Sequence, residues 1–225
     1  MAQEYGPTIV TDGLVLCLDA ADKVSYPGSG TTWTDLSGNG NDGTLSAAAI
    51  GTDVPGFMDF NGTDENVVIG DPAVLDVSTG DWTVSAWANQ LDENKSSNQG
   101  IVGKYGSHPS IALMSDNGIA RIFAYTTGGT RSISSGDIAD SNWHHVVATH
   151  DYDGDTTLYV DGSSRGTSST AIDSLANNNS WSIGSRTTST NYFDGKIDKP
   201  TIYNRALTAK EVSQNFNAQR SRFGV

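Results

Sequence analysis

The strongest constraint on this chain is a rhythm of short apolar runs broken by turn residues. Strand-like runs fall at 14–20, 66–70, 82–89, 100–105, 110–115, 119–125, 181–186 and 196–204. Each is rich in β-branched or aromatic types, as half-buried strands require. Asn-Gly, Asp-Gly, Pro-Gly or Gly-Gly pairs stand between them, and these suit tight hairpin turns. No helical period interrupts the series before residue 207. The pattern predicts an all-β fold, a two-sheet antiparallel sandwich. No linker or shift in composition divides the chain, so residues 1–225 are expected to form one domain. Hydrophobic residues make up 36% of it, enough for a sandwich core, and 25 glycines supply the turns.

The segment NWHHVVATHDYDGDTTLYVDG, residues 142–162, gathers three of the four histidines and four aspartates. Trp143 to His150 reads as a strand, whose side chains alternate between two faces. His144 and His145 then point opposite ways. His144 and His150 share a face but lie roughly 20 Å apart along it, too far for one zinc ion. Asp151, Asp153 and Asp155 resemble the start of a calcium loop. An EF-hand, however, needs glycine at its sixth position and glutamate at its twelfth, where this chain has Thr156 and Gly162. The segment is expected to be a hairpin, with Asp161-Gly162 forming the next type I′ turn.

One helix is signalled, at about 208–220. Thr208 and Glu211 make a capping box, and Leu207 and Val212 a hydrophobic staple. Val212 and Phe216 are four apart and predicted to face the sheet. Arg220 and Arg222 sit near the C-terminus, where cations suit the helix dipole. The helix either closes the sandwich or offers its basic end to an acidic neighbour.

The formal net charge is −13. Such a surface repels nucleic acid and anionic membranes. The longest apolar stretch, LVLCL, falls far short of the roughly 20 residues that span a bilayer. Cys17 is the only cysteine, so no intrachain disulfide forms. The N-terminus has no basic region leading into an apolar core, so no signal peptide is expected.

Catalytic constellations are missing. A retaining glycosidase needs two carboxyl groups about 5–5.5 Å apart, acids at alternate positions of one strand. The four glutamates, Glu4, Glu65, Glu93 and Glu211, are scattered. A binding face is better marked. In IARIFAY, Arg121, Phe123 and Tyr125 share one face, and Ala120, Ile122 and Ala124 the other. Either the first face lines a groove for a glycan, or its aromatics are core and Arg121 reaches past them to water. Tyr105 and His108, beside a loop, are further candidates.

The order of motifs resembles the laminin-G-like branch of the concanavalin A-like lectin/glucanase sandwiches. The motifs are GLVLCLDA, TWTDLSGNGNDGTL, FNGTDENVVIG, WTVSAWAN, the 142–162 hairpin, and FDGKIDKPTIYNRALTAKEV. Together they cover nearly the whole chain. The resemblance implies a concanavalin A-like jelly roll with a short C-terminal helix, in which Trp143 and Val147 pack inward. It also implies a structural calcium ion held by Asn61, Asp64 and Asp198, although Lys199 stands where an acid is commoner. Residues 26–33 and 204–225 further resemble modules in virion proteins of tailed phages. That resemblance implies a non-enzymatic virion surface protein: a capsid decoration, fibre or adhesion module. It would be made in the host cytoplasm and bound to capsid or tail proteins. The alternative is a carbohydrate-binding module of a bacterial polysaccharide-processing system, and a glycoside hydrolase ranks last.

Overall fold

The computed structural model describes residues 8–46, 56–76, 80–91, 96, 98–106, 109–126, 129–169, 175 and 177–225. Seventeen strands form among them. The first half of the chain supplies β1 (Leu14–Cys17), β2 (Thr32–Trp33), β3 (Gly43–Leu45), β4 (Met58–Asn61), β5 (Val67–Gly70), β6 (Trp82–Asn89), β7 (Gln99–Lys104) and β8 (Ser110–Asp116). Then follow β9 (Ile119–Thr126), β10 (Gly129–Asp137), β11 (Trp143–His150), β12 (Thr156–Val160) and β13 (Ser163–Ser168). The last strands are β14 (Trp181–Ile183), β15 (Ser185–Thr187), β16 (Thr190–Tyr192) and β17 (Asp194–Tyr203), before helix α1 (Ala209–Phe223).

Two antiparallel sheets face each other. The first has the order β1-β17-β6-β11-β12-β13, with β4 also paired to β17. The second runs β10-β9-β8-β7-β14-β5-β3-β2. The core between them holds Trp82, Val84, Ala86, Val146 and Ala148 from the first sheet. Ile101, Ile111, Leu113, Ile122 and Trp181 meet them from the second. Each large side chain so buried stabilises the fold by roughly 1.5–3 kcal/mol.

The 142–162 segment is the expected hairpin. β11 pairs with β12 from Val146↔Val160 to His150↔Thr156. Asp151 shapes its turn, its Oδ1 accepting the Asp153 N–H at 3.1 Å. Asp161 and Gly162 both have positive φ, 55° and 72°, as a type I′ turn demands.

One orientation is reversed relative to the resemblance. Val146 and Ala148 enter the core between the sheets. Val147 lies on the other face, in a second cluster with Tyr159, Tyr203, Leu207 and Val212 beneath α1. Trp143 shares that face and is only half-buried. β11 is covered on both sides, so its two faces are equally apolar and alternation alone cannot tell them apart.

The helix follows its signals. Thr208 and Glu211 form the capping box, and Gly224 ends the helix in the left-handed conformation. Phe216 and Phe223 stack on Trp87, with ring centroids at 5.7 and 4.0 Å. His145 stacks on Trp87 beside them at 5.1 Å. The basic end of α1 docks within its own chain. Arg222 binds Asp19 at 2.8 Å and also Asp198, while Lys199 binds Asp19 at 2.8 Å.

Candidate binding face

Among the described residues, no helix lies over the outer face of the second sheet. β9 alternates strictly, with Ala120, Ile122 and Ala124 buried and Arg121, Phe123 and Tyr125 half-buried. The first three join the core between the sheets, so Arg121, Phe123 and Tyr125 face outward. They are not core residues. Tyr105, just past β7, meets the same row, its ring 6.0 Å from that of Phe123. His108 lies outside the described residues.

Small residues let other side chains lie close against this face, and they are themselves buried. The register sets Phe123 opposite Ala112, and Ala112 opposite Gly103. At Gly100 the chain of β15 crosses β7 directly, and a Cβ there would stand 2.1 Å from the Arg186 nitrogen. Arg186, carried on β15, therefore lies close against the sheet. Its guanidinium carbon is 3.8 Å from the Tyr105 ring centroid and 5.5 Å from that of Phe123. Its Nη2 donates to the Tyr105 hydroxyl. Arg121 approaches Phe123 at 5.0 Å. It donates from Nη1 to Asp116 and from Nε to Ser132 Oγ, both at 2.7 Å.

Guanidinium groups and rings thus alternate as Arg121, Phe123, Arg186 and Tyr105. Cation–π contacts of this kind hold both partners in place. They also cover ring faces of Phe123 and Tyr105 with guanidinium groups. Arg186 escaped the sequence reading because it lies on a strand distant from IARIFAY. The signal that marks it is spatial: Gly100, Gly103 and Ala112, three small residues on adjacent strands.

The three residues expected to hold calcium do not converge. The register puts Asn61 opposite Asp194, four residues along β17 from Asp198. Asn61 Oδ1 accepts the N–H groups of Thr63 and Asp64 at 2.8 and 3.2 Å, and its amide donates to Asp64 Oδ1 at 2.9 Å. Asp198 is buried, accepts the Ala20 N–H at 3.0 Å and pairs with Arg222. Burial pushes its carboxyl up to about 7 against the pull of Arg222. Oxygens so engaged do not suit a calcium shell of six to eight ligands. Among the described residues, no group of three or more His, Cys, Asp or Glu side chains is arranged to hold a metal ion.

The three described histidines are held by neighbouring side chains. His144 bridges Asp161 at 2.8 Å and Asp140 at 3.0 Å. Burial works against the charged ring, but these two carboxylates outweigh it and raise its pKa. His145 is buried under α1, which pushes its pKa down to about 4. His150 donates to or accepts from Thr156 at 2.9 Å, and burial lowers its pKa too.

The chain matches the family model of the concanavalin A-like lectin/glucanases superfamily over residues 61–213. Among solved structures it is similar to the binding domain of Paraclostridial Mosquitocidal Protein 1, with a TM-score of 0.75 and 20% identity. That match covers 92% of this chain and 52% of the other. The receptor binding domain of botulinum neurotoxin D gives a TM-score of 0.72 at 12% identity, covering 93% and 53%. Botulinum neurotoxin type C, whose cell entry is dependent upon interaction with two ganglioside molecules, gives 0.66 at 16%, covering 92% and 52%. The chain spans about half the length of each, and at such identities the likeness concerns the fold. Comparison with curated protein sequences returns no match. With more than half of its residues inside the family match, the chain belongs to the concanavalin A-like lectin/glucanases superfamily.

Proposed function

We propose that this protein is a non-catalytic, lectin-like binding domain that engages glycans through the outer face of its second sheet. The observation that carries the reading is the ladder of Arg121, Phe123, Arg186 and Tyr105. Three of its side chains are pre-set on strands and Tyr105 follows β7 directly, which lowers the entropy lost on binding. The proteins with similar folds support the same reading, since one is a receptor binding domain and another depends on gangliosides for cell entry. The carboxylates lend no support to hydrolysis. Glu211 pairs with Arg205 and caps α1, while Asp140 and Asp161 clamp His144.

The setting we propose is the surface of a tailed-phage particle, with the domain attached to capsid or tail proteins. Support comes from the phage-like stretches at 26–33 and 204–225 and from an acidic chain without disulfides. A glycan array probed with wild-type protein and the Tyr105→Ala/Phe123→Ala double variant tests the binding role. Binding by the wild type that is lost in a folded double variant supports it; equal binding by both rejects it. A density map of intact particles tests the setting.

A further inference from the structure

Arg186 differs from Arg222, Arg205 and Arg121, three other half-buried arginines. Arg222 reaches Asp19 and Asp198, Arg205 reaches Asp12 and Glu211, and Arg121 reaches Asp116. Arg186 has no carboxylate among the described residues. Of its five N–H donors, one on Nη2 finds an acceptor, the Tyr105 hydroxyl. Its Nε is buried without a hydrogen-bond partner. The chain holds 26 acidic residues against 13 basic ones, so acidic partners are abundant, yet none of the described ones pairs with Arg186. A half-buried cation with unfilled donors is costly to keep unless something else completes it.

We propose that Arg186 is the anchor for a carboxylate-bearing saccharide, a uronic or sialic acid residue, within the glycan-binding face. The inference rests on the proposed binding role and adds the chemical class of the ligand. A guanidinium is planar and offers paired donors that match a carboxylate. Tyr105 and Phe123 hold the plane of Arg186 in place, so little freedom is lost when the acid arrives. Arg121 approaches the same Phe123 ring and is already paired with Asp116. That leaves Arg186 as the charge that selects. The net charge of −13 does not defeat this, because at physiological salt its field decays over about 8 Å. At contact distance the ligand meets the guanidinium.

The test is calorimetric titration of the full chain with a galacturonic acid oligosaccharide and with sialyllactose. Each is paired with its methyl ester, which keeps the shape and removes the charge. One of the acids is expected to bind at least about tenfold more tightly than its ester, the margin a charge-assisted hydrogen bond supplies. The acid that gains more over its ester identifies the source. Arg186→Met should erase the difference, and Arg186→Lys should keep part of it, because a lysine retains charge without the planar edge. Both variants are first checked for unchanged melting. In the wild-type chain, the Arg186 Nε–H resonance should shift on adding the acid and stay still with the ester, which needs no variant. Equal affinity for acid and ester overturns the inference and leaves the binding face standing. So does an acid preference that survives Arg186→Met. Binding of neither acids nor neutral sugars overturns both.

Discussion

Both outer faces of this sandwich carry aromatic rings, and the two use them in opposite ways. On the first sheet, Trp87 stacks with His145 and with Phe223 under α1. Its indole N–H donates to Gln219 at 2.8 Å, and the nearby cations meet carboxylates. On the second sheet, Tyr105 and Phe123 are stacked against guanidinium groups, and one of these, Arg186, has no carboxylate among the described residues. The first face is covered by the chain's own helix. The second, among the described residues, leaves the Arg186 charge unpaired. The same residue types at the same strand spacing give a helix-covered layer or a half-buried row, depending on whether the chain supplies a helix over them.

The sharpest way to break this contrast is truncation on each side. Trp87→Ala should cost about 3–5 kcal/mol, as for other large buried aromatics. Phe123→Ala should cost about 1 kcal/mol, in the range of partly exposed sites. Urea unfolding of both variants checks this, and equal losses would mean that the two faces do not differ as described.

Acid should strike only the covered face. The His145 pKa falls from 6.5 to about 4 on folding because of burial. A histidine with a depressed folded pKa stabilises above its unfolded pKa, and that stability is lost as pH falls through the 6.5–4 window. The expected loss is about 3 kcal/mol from this group. His145→Phe should flatten the fall in urea midpoint between pH 7 and pH 4. His144, next in sequence, has the opposite sign: its raised pKa gives stability that is present below the unfolded value and lost as pH rises through the folded one. His144→Gln should therefore steepen the acid side and relieve the alkaline side.

Arg222→Met should cost about 2 kcal/mol, because it leaves the buried Asp198 carboxyl without its cation. Adding Asp198→Asn should recover part of that loss in a double-mutant cycle. Any melting difference between calcium and chelator should be untouched by Asp198→Asn alone. The smallest effect belongs to the open face. Arg121→Gln removes the half-buried pair with Asp116 and should change stability by about 0–1 kcal/mol. A larger change would mean that this face is also part of the scaffold.

Much of the architecture was legible where local chemistry decides. Asp161-Gly162 had to be a tight turn, and Thr208 with Glu211 had to open a helix. β10 was not legible. It is an edge strand reading GTRSISSGD, with one large apolar residue, Ile133, because its outer face meets water. The reversed face of β11 was hidden for a related reason: VVATH is apolar on both sides because α1 covers the outer one. A clue did exist in KIDKPTIY. Ile197 and Ile202 are five apart, an odd spacing that cannot share one face of a regular strand. The bulge between Asp198 and Thr201, with Lys199 at φ 47°, restores both to the core. Of the binding face, the outward row on β9 could be read from alternation. Arg186 could not, since its place depends on β15 crossing Gly100.

The opening and closing stretches of the described chain are stitched together. β1 pairs with β17, the Val10 N–H donates to Asn215 Oδ1 at 2.8 Å, and Gln214 reaches the Thr8 carbonyl at 2.9 Å. Contacts between residues some two hundred positions apart form late in folding, because the long intervening loop must close before they contribute. During synthesis Trp87 and His145 emerge long before Phe216 and Phe223, which are their cover. Until the helix is made, an apolar sheet face stays bare to other nascent chains, so the window for aggregation is set by how quickly the last turns of α1 arrive.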